Sequence, residues 1–157
     1  MDNNIVRERI RKWNLDRNGL KFNLELEKKM LMEEVAEFLT ATDLPNRIKE
    51  LCDIAFVWYG TEAKAEEQEI LPLEIDALLE WVAETGRYFY RSVFKEIAQV
   101  VDEECDICGL LIKCLDFVIE ANEAKGTEKD ANGKVIKGTN YKKPEPLIAE
   151  LIQEYSK

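Results

Sequence analysis

The sequence predicts an all-α fold in a single domain. Three observations carry this. Only 7 Gly and 4 Pro punctuate 157 residues. Alternating period-2 stretches are scarce, and apolar residues recur instead at helical spacings of three and four. A chain this long buries roughly 70% of its unfolded surface, so its core needs neither a metal nor a disulfide staple.

A first helix is expected over residues 5–13, followed by a turn at Asp16-Arg17-Asn18-Gly19. A second covers about 24–41. Asn23 can cap its start, and Glu25 and Glu27 suit the positive end of its dipole. Its apolar stripe is Leu24, Leu31, Val35, Phe38 and Leu39. A third helix starts near Pro45, a good first-turn residue, and runs to about residue 65. After Pro72 comes a fourth pattern (Ile75, Leu78, Leu79, Val82), which Gly86 is expected to end. Residues 88–121 stay helical, with a break near 102–104 or at Gly109. Residues 125–146 are rich in Gly, Lys, Asn and Pro; they predict a loop with a small hairpin around Asn132-Gly133. A last helix spans 147–155.

Composition narrows the function. Lys+Arg is 22 and Asp+Glu is 32, a net charge of −10. Duplex nucleic acid is therefore not an expected partner, because its affinity comes largely from cationic contacts to phosphate. Histidine is absent, which excludes Ser-His-Asp and Cys-His catalysis and any imidazole metal ligand. The start, MDNNIVRERIRKWN, has no apolar signal-peptide region. No apolar run approaches the roughly 18 residues that span a bilayer, so no membrane association is expected. Cytoplasmic placement, with Cys52, Cys105, Cys108 and Cys114 as reduced thiols, is the expectation.

Carboxylate is the chemistry that remains. Glu34 and Glu37 stand three apart, as do Glu50 and Asp53. On a helix that spacing puts both members of each pair on one face, about 5–6 Å apart. The 12 residues between Glu37 and Glu50 allow a helix end, a turn and a new helix. If the two helices pack antiparallel, all four carboxylates converge. A solvated acidic face is the plain alternative. Against it, Glu34 borders the apolar stripe, and Asp53 is the one charged residue in LCDIAFVWYG. A buried Asp must be paired or bound to metal, and Lys49 is the only basic residue a turn away. Hard oxygen ligands favour Mg²⁺ or Mn²⁺, or Ca²⁺. Such metals commonly serve phosphate chemistry. The basic loop supplies cations for the remaining phosphate charge: Lys125, Lys129, Lys134, Lys137, Lys142 and Lys143.

Glu33-Glu34-Val35-Ala36-Glu37 followed by Glu50-Leu51-Cys52-Asp53 resembles the EExxE and ExxD motifs of the all-α nucleoside triphosphate pyrophosphohydrolases. These include the MazG-like enzymes, the dimeric dUTPases and the phosphoribosyl-ATP pyrophosphatases. Asn122, Lys125, Lys134, Lys137, Tyr141 and Pro144 resemble a second motif of one branch: Asn-x-x-Lys, Gly-Lys-x-x-Lys, then aromatic-x-x-Pro. The resemblance covers about half the chain. It implies a four-helix-bundle-type core, homodimers or higher oligomers, and Mg²⁺-dependent α–β cleavage of a nucleoside triphosphate. It also implies Glu34, Glu37, Glu50 and Asp53 as metal ligands, and Glu33 as the group orienting or deprotonating water. Asn122, Lys125, Lys134, Lys137 and Tyr141 would face the nucleotide. Relative to compact members, residues 66–105 look like an inserted helical pair. Its aromatics (Trp81, Tyr88, Phe89, Tyr90, Phe94) suit core, a subunit interface or a base-stacking wall.

The alternatives are a phosphoribosyl or non-canonical nucleotide as substrate, or a non-catalytic acidic helical module. Glu103-Glu104-Cys105-Asp106 repeats the ExxD spacing and is a competing half-site. Cys105 and Cys108 lack the further ligands of a zinc site and are expected as core cysteines. Asp130-Ala131-Asn132-Gly133 lacks the terminal acid of a calcium loop. No Walker A or GxGxxG sequence is present.

Overall fold

Helix punctuation in the sequence translates directly into the architecture. The computed structural model describes residues 3–70, 72–131 and 133–157, except the side chains at 72–76, 78–79 and 82–83. Those described residues form α1 (Asn3–Asn18), α2 (Leu24–Thr40), α3 (Leu44–Glu67), α4 (Pro72–Val100), α5 (Ile107–Glu123) and α6 (Glu145–Glu154). The expected stripe of Ile75, Leu78, Leu79 and Val82 lies outside the described side chains, as does Asn132. No helix is long and apolar enough to cross a membrane among the described residues.

Local chemistry sets the helix ends. The Asn23 side chain accepts from the Leu26 N–H at 3.1 Å, capping α2 as expected. Asp43 caps α3 in the same way through the Asn46 N–H at 3.1 Å, with Pro45 in the first turn. At Gly19 and Leu20 the backbone turns through positive φ values of 63° and 54°. Glycine enters that conformation without steric cost. Helix α1 therefore runs on to Asn18, past the residue 13 expected, and the turn is shorter than the Asp16–Gly19 reading allowed.

The fold is organised around α3, which touches each of the other five helices. Its apolar run explains this: Ile48, Cys52, Ile54, Phe56, Ala63 and Ala65 are all buried. The main core joins Phe38 and Ile48 to Val93, Ile97, Leu110, Val118 and Ile148. Phe38 and Phe89 stack at 4.2 Å between centroids, tying α2 to α4. Helices α2 and α3 lie antiparallel. At one end of their seam Lys64 Nζ meets Glu27 Oε1 at 2.7 Å, and Thr61 Oγ1 donates to Glu27 Oε2 at 2.8 Å. Glu27 thus belongs to a buried ion pair and not only to the helix dipole.

Helix α3 has no room for a side chain at Gly60, where it faces Asn14 of α1. A Cβ there would stand 2.8 Å from Asn14 Nδ2. Asn14 is buried and its amide donates to Ile10 O at 2.9 Å. Gly60→Ala should therefore destabilise by about 1 kcal/mol. The lost buried hydrogen bond outweighs the better helix propensity of Ala. Urea denaturation checks this, and a stabilised variant would contradict it.

Several expectations are corrected. Gly86 does not end a helix: α4 continues through it to Val100, so the expected helical pair is one helix. A single glycine costs a helix only about 1 kcal/mol, and burial of Phe89, Val93 and Ile97 beyond it outweighs that. The break before α5 spans 101–106, and Gly109 lies inside α5. Leu39 is 65% exposed and leaves the α2 stripe. Helix α6 starts at Glu145, two residues early. The expected hairpin is present as a single bridge, Lys129 to Val135, with Gly133 at φ 79°.

Candidate functional site

The antiparallel α2–α3 seam brings acid groups together at its other end. One oxygen each from Glu34, Glu50 and Asp53 lies within 4.8 Å of the others. All three side chains are half-buried. Glu37 is exposed at the rim, near enough to act on Glu34, Glu50 and Asp53 as a like charge. Three of the four expected ligands therefore converge, with the fourth beside them. Glu33 faces the basic loop, where Lys134 Nζ stands 3.9 Å from its Oε2.

Lys49 is the internal counter-charge. Its Nζ lies 2.8 Å from Asp53 Oδ2 and 3.0 Å from Glu50 Oε1. One ammonium cannot balance three carboxylates. Glu34 Oε2 and Glu50 Oε2 are buried and have no hydrogen-bond partner. Burial, then Asp53, Glu37 and Glu50, push the Glu34 carboxyl up to about 8. Burial likewise raises Glu50 to about 7, against the pull of Lys49. Asp53 is raised by burial, and Lys49 offsets this only in part. Burial works against the Lys49 charge, but Asp53 and Glu50 outweigh it and drive its pKa up.

The donor set fits a small divalent cation. All donors are hard oxygens. Two oxygens on one Mg²⁺, each about 2.1 Å away, stand at most about 4.2 Å apart. With the three oxygens within 4.8 Å of one another, side-chain movement would draw them in to a common ion, and the unpartnered oxygens of Glu34 and Glu50 are those a cation would satisfy.

The second motif reaches the same place from the far end of the chain. Burial lowers the Lys125 pKa, while Asp53 and Glu34 are close enough to raise it. Lys125 Nζ and Lys137 Nζ lie over the Tyr141 ring at 5.7 and 4.9 Å. Burial raises the Tyr141 hydroxyl, and Lys49, Glu145, Asp53 and Glu50 all act on it. Asn122 is 8% exposed and its side chain is engaged internally. Its amide donates to Val118 O at 3.0 Å, and its Oδ1 accepts from Lys125 Nζ at 2.8 Å. Asn122 thus orients Lys125.

Sequence reasoning missed Glu145. It opens α6, is half-buried, and its Oε2 is buried without a partner. Its position directly after Pro144 was the available signal. The rival half-site dissolves: Glu103, Glu104 and Asp106 are exposed, and Asp106 caps α5 by accepting from the Gly109 N–H at 3.0 Å. Of the two cysteines expected in the core, Cys105 is half-buried and packs against it, whereas Cys108 is exposed, 3.0 Å from the Tyr90 hydroxyl; Cys52 and Cys114 are buried.

An open cavity lies elsewhere. About 560 Å³ opens between α3, α4 and α5, lined by Trp58, Tyr59, Arg87, Tyr90 and Ile112 among others. None of the clustered carboxylates lines it, and its walls are mostly apolar apart from Arg87. Of the α4 aromatics, Phe89 is core, whereas Trp81, Tyr88 and Tyr90 are exposed.

No protein-family model, curated protein or solved structure matches this chain.

The electrostatics set a pH dependence. Glu34 and Glu50 hold protons in the folded state that the unfolded chain releases above about 4.5. The folded state binds more protons over that window, so metal-free stability falls as pH rises from about 4.5 to about 8. A divalent cation competes with those protons. The melting-temperature rise on adding Mg²⁺ should therefore grow between pH 6 and pH 8. An increment independent of pH would contradict this.

Proposed function

We propose that this chain is a divalent-metal-dependent nucleoside triphosphate pyrophosphohydrolase, releasing a nucleoside monophosphate and pyrophosphate. The observation that carries the reading is the half-buried triad of Glu34, Glu50 and Asp53, with unpartnered oxygens on two members and Lys125 beside it. The resemblance of the EExxE and ExxD segments to the all-α pyrophosphohydrolases supports it and supplies the bond cleaved.

Glu34, Glu50 and Asp53, with Glu37 at the rim, would hold Mg²⁺ or Mn²⁺. Bound there, the ion supplies charge neutralisation and activation of water. The protein's own groups do the rest. Lys125 and Lys137, flanking Tyr141, receive the triphosphate's anionic oxygens. Lys49, already between Glu50 and Asp53, is placed to follow the charge as the leaving group departs. Glu33 accepts a proton from the attacking water or orients it, with Lys134 3.9 Å away on the basic loop. Assembly as a homodimer or higher oligomer and a cytoplasmic site of action belong to the same proposal.

The Lys49 bridge favours one rival: an acidic helical module whose charges are compensated internally. Incubation with Mg²⁺ and each dNTP and NTP in turn, followed by ³¹P NMR, separates the two. Pyrophosphate and a monophosphate are the expected products, lost on chelation. Orthophosphate plus a diphosphate, or no turnover of any nucleotide, overturns the proposal. The same panel distinguishes a common from a non-canonical nucleotide.

A further inference from the structure

The first helix takes no part in the acid cluster, yet its last turns grip the segment that delivers Lys125. Arg17 Nη2 donates to Lys125 O at 2.7 Å and Nε to Gly126 O at 3.1 Å. The guanidinium also donates to Trp13 O at 3.2 Å and lies 4.5 Å over the Trp13 ring. Trp13 Nε1 in turn donates to Asn122 O at 2.8 Å. One residue on, Lys129 Nζ donates to Asn18 Oδ1 at 3.0 Å.

These contacts answer a specific need. Helix α5 ends at Glu123; Asn122 O is one of its last carbonyls, which lack intrahelical partners, and Trp13 serves it, while Arg17 holds the two carbonyls just beyond the helix end. A cation there is also favoured by the helix dipole. A planar guanidinium meets two carbonyls at once while stacking on an indole; an ammonium cannot do both. With its carbonyl held by Arg17 and its ammonium held by Asn122, Lys125 has little freedom left. It is half-buried and within electrostatic reach of Asp53.

We propose that Arg17, braced by Trp13, is a positioning residue that presets Lys125 for the phosphate groups of the substrate. The inference rests on the pyrophosphohydrolase reading and deepens it, since it assigns triphosphate affinity to a helix remote from the metal ligands. Arg17 does not touch substrate; its effect passes through Lys125.

The test is a double-mutant cycle on the full chain. The probe is a deoxynucleoside triphosphate with an α,β-methylene bridge, titrated calorimetrically in Mg²⁺ against wild type, Arg17→Met, Lys125→Met and the double variant. Mn²⁺ alone, read by electron paramagnetic resonance, is the control. Arg17→Met should weaken the nucleotide analogue about tenfold, as expected of about 1.4 kcal/mol, and leave Mn²⁺ affinity within about twofold. The double variant should bind about as weakly as Lys125→Met alone, because coupled residues do not add. In turnover, Arg17→Met should raise KM more than it lowers kcat. Trp13→Phe, which keeps the ring and removes the Nε1 donor, should act in the same direction and serves if Arg17→Met folds poorly.

Wild-type affinity in both Arg17→Met and Trp13→Phe overturns the proposal, as do losses that add in full to that of Lys125→Met. A parallel fall in Mn²⁺ affinity also overturns it, because a general structural defect would then explain the result. These outcomes leave the pyrophosphohydrolase reading intact. A wild-type chain that binds no analogue defeats that reading itself, and the positioning role with it.

Discussion

Glu34→Gln should lower metal-dependent turnover by about 10³-fold or more and, in the same protein, raise the melting temperature without metal. The first effect follows from removing a charged oxygen donor where charge must be stabilised. The second follows from what Glu34 costs the fold. Its carboxyl is buried against three like charges, is pushed up to about 8, and has one buried oxygen without a partner. A neutral amide of the same shape relieves that cost, on the order of 2 kcal/mol near pH 8. For a chain of this length that is about 5 °C. Opposite signs in activity and stability are the mark of a site maintained at the expense of the fold. Phosphorus NMR reads the turnover, and a thermal melt in chelator reads the stability. A solvated acidic face predicts no change in either, so two null results would remove the metal site.

Lys64→Met should be the most destabilising of the substitutions considered, by about 3–5 kcal/mol. The side chains of Lys64 and Glu27 are only 5% and 1% exposed. Removing the cation leaves a carboxylate deep in the α2–α3 seam with only Thr61 to serve it. A melting temperature lower by about 10 °C is the expected reading. Adding Glu27→Leu should restore most of the loss, because an apolar pair avoids desolvating any charge. Thr61 keeps a second partner in Val57 O at 3.1 Å, so it is not orphaned in the double variant. A loss below about 1 kcal/mol for the single change would show that the pair contributes little. The pair also has a geometric role. It fixes how α2 registers along α3, and two turns further along the same face of α2 that register sets Glu34 opposite Glu50 and Asp53.

What could be read in advance divides along physical lines. Helix starts were legible where a side chain caps them, as at Asn23. The acid cluster was legible because i, i+3 spacing fixes a face and the apolar run around Asp53 fixes its burial. Lys125, Lys137 and Tyr141 could be placed near it only through resemblance; no periodicity links residue 125 to residue 53. Helix α4 was misread because a glycine was taken as a stop, whereas tertiary packing at Phe89, Val93 and Ile97 carries the helix through. Glu27 was read locally, as a dipole partner. Yet Glu27, Leu31, Glu34 and Phe38 fall at i, i+4, i+7 and i+11, one continuous buried line, and that spacing was a signal for a charge inside. The role of Arg17 was invisible, since main-chain carbonyls leave no trace in sequence patterns.

The central position of α3 has a bearing on how the molecule opens. Every other helix leans on it, so its amides have no route to deuterium short of the whole chain coming apart. Independent opening is expected instead at the mostly exposed residues 127–131 and 133–140, beyond the Arg17 anchor. Two of the three clustered acids therefore ride on the best-supported helix, and Lys125 is held beside them by Arg17 and Asn122, while Lys137 sits on the exposed stretch beyond. One side of the cluster is anvil-like and only the outer part of the other is free to open, an arrangement that under the proposed function would let a spent product go without disturbing the ion's ligands.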